Sequence, residues 1–417
     1  MLYPRHLSGP LMDALSDTPV VVLHGARQTG KSTLAQSLAR GRHASQYLTL
    51  DDLGVLRTAK HDPEGFIGGL SGPVVIDEIQ RAPEVLLAIK ADVDRHRVPG
   101  RFLLTGSAHV LHIPRLADAL VGRMEVLTLW PLSQGELDRN KESFVDRLFS
   151  EIPFPYSTTR GPSRDGIFRR VVQGGFPEIT HRTKPERRRA WFDAYLNTIM
   201  QRDVRDLSNI TGLAELPRLL NILAARAGGL INYADLARDA GLNQVTLKKY
   251  FTLLASVFLI VSIRPWFSNR IKRLMKSEKL YLSDTGLLAH LLGVEWDDLA
   301  KDTHAKGALL ENFVAVELLK QLGWSRTRPQ MFHYRHYFGE EVDFLLESPG
   351  RKKIVCIEVK AAKTIQPGDF KAMRSLAEAI GTTFHRGVVL YMGDQIIPIA
   401  ANLHAVPIHH LWTATDK

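Results

Sequence analysis

Val20-Val21-Val22-Leu23-His24-Gly25-Ala26-Arg27-Gln28-Thr29-Gly30-Lys31-Ser32-Thr33 decides how the rest of the chain reads. Its first five residues form an apolar run of strand length, and helical spacing begins at Ser32 and continues to Arg40. Between them the pattern G-x-x-x-x-G-K-[ST] is matched at every fixed position, in the strand–loop–helix context that it requires. Glycines there let successive backbone N–H groups curl around phosphate oxygens, and the helix N-terminus adds positive potential. The stretch predicts a phosphate cradle running from Gly25 to Thr33. In it Lys31 reaches the β- and γ-phosphates and the Ser32 hydroxyl binds Mg²⁺.

Further along, Val74-Val75-Ile76-Asp77-Glu78 reads as a buried strand that ends in two carboxylates. Parallel α/β sheets bind ligands at the C-terminal ends of their strands, so both acids are expected beside the phosphate cradle. Asp77 would hold Mg²⁺, directly or through water, and Glu78 would polarise an attacking water. Leu103-Leu104-Thr105-Gly106-Ser107 is a strand ending in hydroxyls, and either Thr105 or Ser107 could orient that water. Arg123, just before a fifth strand at Met124 to Leu129, could act in cis as a sensor or in trans as an arginine finger. The trans role requires a homo-oligomer. With a strand at Tyr47 to Leu50 and amphipathic stretches such as Glu84 to His96, the pattern predicts a mostly parallel sheet covered on both faces.

This set of motifs resembles the AAA+ ATPases over roughly residues 1–140. The resemblance implies ATP and ADP as ligands, Mg²⁺ as cofactor and ATP hydrolysis as the activity. It departs at the first sensor, which in many AAA+ proteins is Asn and here would be Thr105 or Ser107. Asp51-Asp52 and the segment Pro131 to Glu136 look like a prokaryotic branch that carries a C-terminal domain of unknown function.

A chain of 417 residues, 45% hydrophobic and 24% charged, suits two or three core-forming domains and excludes a disordered or fibrous protein. The single cysteine, Cys356, excludes an internal disulfide framework. The start lacks the features of a signal peptide. The longest apolar run, Phe251 to Ile263, is shorter than the roughly 20 residues that cross a bilayer. It reads as a buried helix running into a strand, and a cytoplasmic protein with no membrane partner is expected. The net charge of +10 is concentrated: residues 181–280 hold 18 Lys and Arg against 8 Asp and Glu, whereas the remainder holds 36 of each. A localised excess of this kind suits a polyanion, nucleic acid first.

Pro- and Gly-rich sequence from Ile152 to Gly166 reads as a boundary, which divides the chain into an ATPase domain at 1–150, a mainly helical domain at 165–300 and a small α/β domain at 301–417. In the middle part, Ile231 to Gly241 reads as a short helix closed by its glycine, and a second helix starts at Asn243. That is the helix-turn-helix outline, with Asn243, Gln244, Lys248 and Lys249 turned toward DNA. With the strand at Leu259 to Trp266, the segment resembles a winged helix. Arg270, Lys272, Arg273 and Lys276 would then be phosphate-contacting residues of the wing.

In the last part, Asp343, Glu358 and Lys360 have the spacing of an acid on one strand and an acid–x–lysine on its hairpin neighbour. With Glu311 as a third acid they could hold Mg²⁺ and place a water against a phosphodiester. The spacing resembles the PD-(D/E)xK nuclease core over roughly residues 305–395, with Val342 where that core often has Pro. An oligomeric Mg²⁺-dependent ATPase acting on DNA is the leading expectation. An ATP-gated nuclease and a nucleotide-dependent switch binding a protein partner are the alternatives.

Overall fold

The computed structural model describes residues 2–107, 120, 122–152, 161–204, 213–269, 271, 273, 276–300, 303–336 and 339–414. Strands β1 (Val20–His24), β2 (Gln46–Thr49), β3 (Val74–Asp77), β4 (Phe102–Gly106) and β5 (Met124–Thr128) form one sheet in the order β2-β3-β4-β1-β5. Every pairing in it is parallel. The central strands β1, β3 and β4 are buried along their whole length because both faces are covered. Val20, Val22, Ile76 and Leu104 pack on one side with the helix Val85–Arg95. Val21, Leu23, Val75 and Leu103 pack on the other with the helices Ser8–Asp17 and Lys31–Ala39. Parallel strands present all their C-terminal ends at one edge, so the loops after β1, β3 and β4 meet there.

A mainly helical region follows. Its helices Tyr233–Ala240 and Gln244–Ser256 are joined through Gly241, whose φ of 69° lies in the left-handed region that a glycine adopts without strain. Strands β6 (Ile260–Ile263) and β7 (Lys279–Leu282) then pair antiparallel. The apolar run thus divides into a helix and a strand, as its length requires.

The last region is a mixed sheet built from β8 (Gln330–Arg335), β9 (Glu341–Glu347), β10 (Ile354–Lys360), β11 (Phe384–Tyr391), β12 (Ile397–Ala400) and β13 (Leu403–Pro407), in the order β12-β13-β11-β10-β9-β8. The helix Thr303–Leu322 packs against β10 and against the helix Phe144–Phe149. Phe144, Val145, Leu148 and Phe149 share a hydrophobic cluster with the helical region and the last sheet, not with the parallel sheet. The change of core therefore comes before the Pro-rich stretch that marks it in the sequence. Glu317 reinforces the junction: it is fully buried, accepts from Gln134 N at 3.0 Å and pairs with Lys320 at 2.6 Å.

Two middle-region residues are tied directly to the last sheet. The backbone of Trp266 donates to His333 O at 2.7 Å, and Arg273 forms two bonds to Glu347, at 2.7 and 3.0 Å. His333 is only 2% exposed, and burial pushes its imidazole down to about 4. An unfolded histidine takes up its proton near pH 6.5. Between those values the unfolded chain binds more protons, so stability falls as pH drops. The loss from pH 7 to pH 5 is expected to be roughly 2 kcal/mol larger in the native chain than in His333→Gln. Denaturant melts at the two pH values measure it, and equal losses would contradict the buried, neutral state of this ring.

Candidate nucleotide site and carboxylate cluster

The loop Gly25–Gly30 wraps the end of β1 and ends on the helix Lys31–Ala39, with Gly30 at φ 92° as its N-cap. Gly25 is required by proximity as well as by conformation: a Cβ there would sit 2.2 Å from Leu129 O. Thr29 closes the loop by donating to Ala26 O at 2.9 Å, and Gln28 takes a left-handed φ of 66°. Lys31 is 5% exposed and donates to Gly25 O at 3.0 Å and Ala26 O at 2.8 Å. Burial pushes its ammonium down to about 8, against the opposing pull of Glu78 and Asp77. Among the described residues its hydrogen-bond partners are neutral carbonyls, so it can turn to a phosphate without breaking an ion pair.

Asp77 is the hub of the opposite wall. Its Oδ1 accepts from Ser32 Oγ at 3.0 Å and from Thr105 Oγ1, and its Oδ2 accepts from Tyr47 Oη at 2.8 Å. The Ser32 hydroxyl and the Asp77 carboxylate thus adjoin each other, a donor set of hard oxygens suited to Mg²⁺. Thr105 also accepts from Glu78 N at 3.3 Å, so the end of β4 holds the end of β3. Glu78 itself has a left-handed backbone, φ 60° and ψ 44°, which is uncommon outside glycine and recurs at functional sites. Its carboxylate accepts from Gln80 Nε2, and the same amide donates to Ser107 Oγ at 3.0 Å. Ser107 and Glu78 are therefore linked through Gln80, a residue that belongs to none of the sequence motifs.

Two contacts connect the loop to distant sequence. Arg5 donates to Thr29 O at 2.6 Å, to Trp130 O at 2.7 Å and to Glu136 at 3.1 Å, so the N-terminal segment lies against the loop. Beside it a cleft of about 500 Å³ is lined by Tyr3, Pro4, Gly30, Thr33, Ser37 and Pro177, among others. Arg27 forms two bonds of 3.1 Å to Asp203, which lies in a π-helical turn at Ile199–Asp203. Asp51 of the loop after β2 pairs with both Arg81 and Arg202.

Arg123 corrects one expectation. It stands at the N-terminal end of β5, level with Val20 and not with the phosphate loop, and it pairs with Asp94. The opposite sheet edge is a full strand length away, so Arg123 is not a sensor for its own chain's nucleotide. Its guanidinium is half-buried in the ion pair with Asp94.

A family model described as an AAA domain matches residues 17–138, and models described as domains of unknown function match 164–298 and 306–411. An uncharacterized protein of Mycobacterium tuberculosis, Rv2008c, is 30% identical over 410 residues, covering 98% of this chain and 84% of that protein. The chain belongs to the prokaryotic AAA+ ATPase family. An uncharacterized protein of Methanocaldococcus jannaschii, MJ1544, is 26% identical over 262 residues, 61% of this chain and 55% of its own. Among solved structures, the Thermotoga maritima RuvB Holliday junction branch migration motor aligns at 19% identity and TM-score 0.30, over 61% of this chain and 88% of that one. No helix of the described residues is long and apolar enough to cross a membrane.

In this AAA+ chain the basic middle is less available than its composition suggests. Arg182, Arg188, Arg189, Arg202, Arg226, Arg238 and Arg264 all pair with carboxylates. Arg273, expected in a DNA-contacting wing, is 8% exposed, held by Glu347 and the Phe267 carbonyl and stacked on Phe332 at 4.7 Å. It is a structural cation. Asn243, expected to face DNA, caps its helix by accepting from Thr246 N at 2.8 Å. Gln244, Lys248, Lys249 and Lys276 are exposed, as expected, and Lys248 lies over the Tyr233 ring at 5.3 Å. Arg270 and Lys272 lie outside the described residues.

Glu311, Asp343 and Glu358 do come close together, since β9 and β10 pair antiparallel with Ile357 opposite Phe344. The metal reading nevertheless needs correction. Lys279 of β7 reaches in, with Nζ 3.1 Å from Glu311 and 3.3 Å from Asp343. Asp343 Oδ2 accepts from Val359 N at 2.9 Å, Glu311 also accepts from Tyr281 Oη at 2.7 Å, and Lys360 pairs with Glu358 at 2.8 Å. Burial and the Asp343 charge push the Glu311 and Glu358 carboxyls up. Among the described residues no group of three or more His, Cys, Asp or Glu side chains is arranged to hold a metal ion. Lysine ammonium groups take up the oxygens that a metal would need.

Proposed function

We propose that the chain is an Mg²⁺-dependent ATPase that works as a homo-oligomer on DNA. The observation that supports the ATPase reading most is the meeting of Lys31, Ser32, Asp77, Glu78 and Thr105 at one edge of the parallel sheet. Ser32 and Asp77 would hold Mg²⁺, which supplies positive charge against the β- and γ-phosphate oxygens. Lys31, released from the Gly25 and Ala26 carbonyls, binds the same oxygens. Glu78 orients a water and accepts its proton as the water oxygen bonds to the γ-phosphorus and the bond to the ADP oxygen breaks. Gln80 holds the Glu78 carboxylate until then, and Thr105 fixes the backbone that carries it. Arg123 of one subunit serves the nucleotide of the next. The cleft lined by Tyr3, Thr33 and Pro177 is of a size for the adenosine part.

The DNA reading rests on Gln244, Lys248, Lys249 and Lys276, exposed on and after the second helix of the helix-turn-helix outline. Together they are a small footprint, so binding is expected to be modest and not sequence-specific. In a gel-shift series across salt, duplex affinity should fall steeply, and K248A/K249A should reduce the slope of log affinity against log salt by about two. An absence of duplex binding at low salt, with ATP turnover intact, would leave an ATPase whose partner is a protein. Glu78→Gln should bind ATP and fail to turn it over; turnover at the native rate would refute the assignment of the water-orienting acid.

A further inference from the structure

We infer that Lys279 is the built-in cation of the Glu311–Asp343–Glu358 cluster, so that this nuclease-like site is an ionic joint between the middle region and the last sheet, closed to divalent metal. Lys279 is 4% exposed and lies within ion-pair distance of Glu311, Asp343 and, at 4.0 Å, Glu341. A buried ammonium in contact with several carboxylates supplies the charge compensation that a bound cation otherwise gives.

The strand that delivers it is fixed on every side. Lys279 pairs with Ile263 of β6 on one edge and bridges to Leu230 on the other. Leu280 exchanges bonds with Gly228 and Gly229, at 2.7 and 3.0 Å. At the strand's end the Asn312 side chain accepts from Leu282 N at 2.8 Å and donates to Leu282 O at 3.0 Å. Asn312 neighbours Glu311 on the same helix, so one turn of helix secures both the strand and its lysine. Gly228 covers the cluster from outside: a Cβ there would stand 3.4 Å from the Glu311 carboxylate. Leu280, Tyr281 and Leu282 are all at most 1% exposed, so withdrawing the lysine would mean unpacking β7.

Removing the ammonium while keeping the carboxylates leaves a buried acidic cage, which a divalent ion can then fill. The test is Mn²⁺ titration of the nucleotide-free, full chain followed by electron paramagnetic resonance, comparing native, D343N, K279A and K279A/D343N proteins. The native chain should take up no Mn²⁺ that D343N loses. K279A should gain one Mn²⁺ that K279A/D343N loses. Asp343-dependent Mn²⁺ in the native chain overturns the inference, and so does a folded K279A without it. If K279A does not fold, the comparison of native and D343N decides alone. Plasmid incubation with Mn²⁺ gives a second readout: no cleavage by the native chain is expected, and cleavage lost in Glu358→Gln would overturn the closed site. ATP turnover belongs to the other site and should continue in every variant that folds.

Discussion

Lys31→Ala is expected to lower ATP turnover by at least about 10²- to 10³-fold, the cost of losing one charged stabiliser of a phosphoryl-transfer transition state. Among the described residues the Lys31 ammonium donates to Gly25 O and Ala26 O and to no other group. Its deletion should therefore leave the fold intact, because burial of the ammonium costs what its carbonyl bonds and the nearby Glu78 and Asp77 return. That combination separates the two roles of a buried lysine. A structural lysine would lose stability along with activity. Here activity should vanish while the thermal midpoint without nucleotide holds, and the upward shift of that midpoint with Mg²⁺–ATP should shrink. Phosphate-release assays and melting curves with and without nucleotide decide it. Persistent turnover would remove Lys31, and with it the phosphate-loop assignment, from the mechanism.

The largest stability effect is expected from Arg273. Its guanidinium is bound twice by Glu347, donates to the Phe267 carbonyl and lies against Phe332 and Trp266, with both charged side chains under a tenth exposed. Breaking a buried pair by removing one partner typically costs about 3–5 kcal/mol, because the other charge stays buried. Arg273→Ala should fall in that range, read as a lower denaturant midpoint. R273M/E347L, which removes both charges and keeps the bulk, should recover much of the loss. If Arg273 were a solvent-exposed phosphate contact, the single substitution would instead leave stability within about 0.5 kcal/mol and weaken DNA binding.

Arg273 also illustrates where sequence and structure part company. The parallel sheet was legible because its strands are apolar runs punctuated by loops that carry chemistry, and each loop lies at the edge where its strand ends. Lys31, Asp77 and Glu78 could be placed from the sequence for that reason. Gln80 and Tyr47 were not, although both touch the acids, because an amide two residues after Glu78 and a tyrosine on β2 carry no pattern of their own. Charge was the weakest guide. A basic run from Arg270 to Lys279 has the composition of a DNA-facing wing, yet Arg273 and Lys279 point inward to Glu347 and to the Glu311–Asp343 pair. Their acidic partners lie 74 and 32 residues or more away, and no local spacing links them. Strand pairing brings Asp343 beside Glu358 and the helix Thr303–Leu322 adds Glu311, whereas the lysine that pairs with Glu311 and Asp343 comes from a different part of the chain.

The Arg27–Asp203 pair has a consequence for communication through the molecule. Arg27 belongs to the phosphate loop and Asp203 to a π-helical turn of the helical region. Phosphate oxygens arriving in the loop would compete with Asp203 for the same guanidinium, and nucleotide and helical region would then draw on one shared donor. Such coupling is reciprocal: by whatever factor ATP loosens that turn, a partner that loosens it tightens ATP by the same factor. Through that one pair the helical region would set the nucleotide affinity of the loop as much as it would obey it.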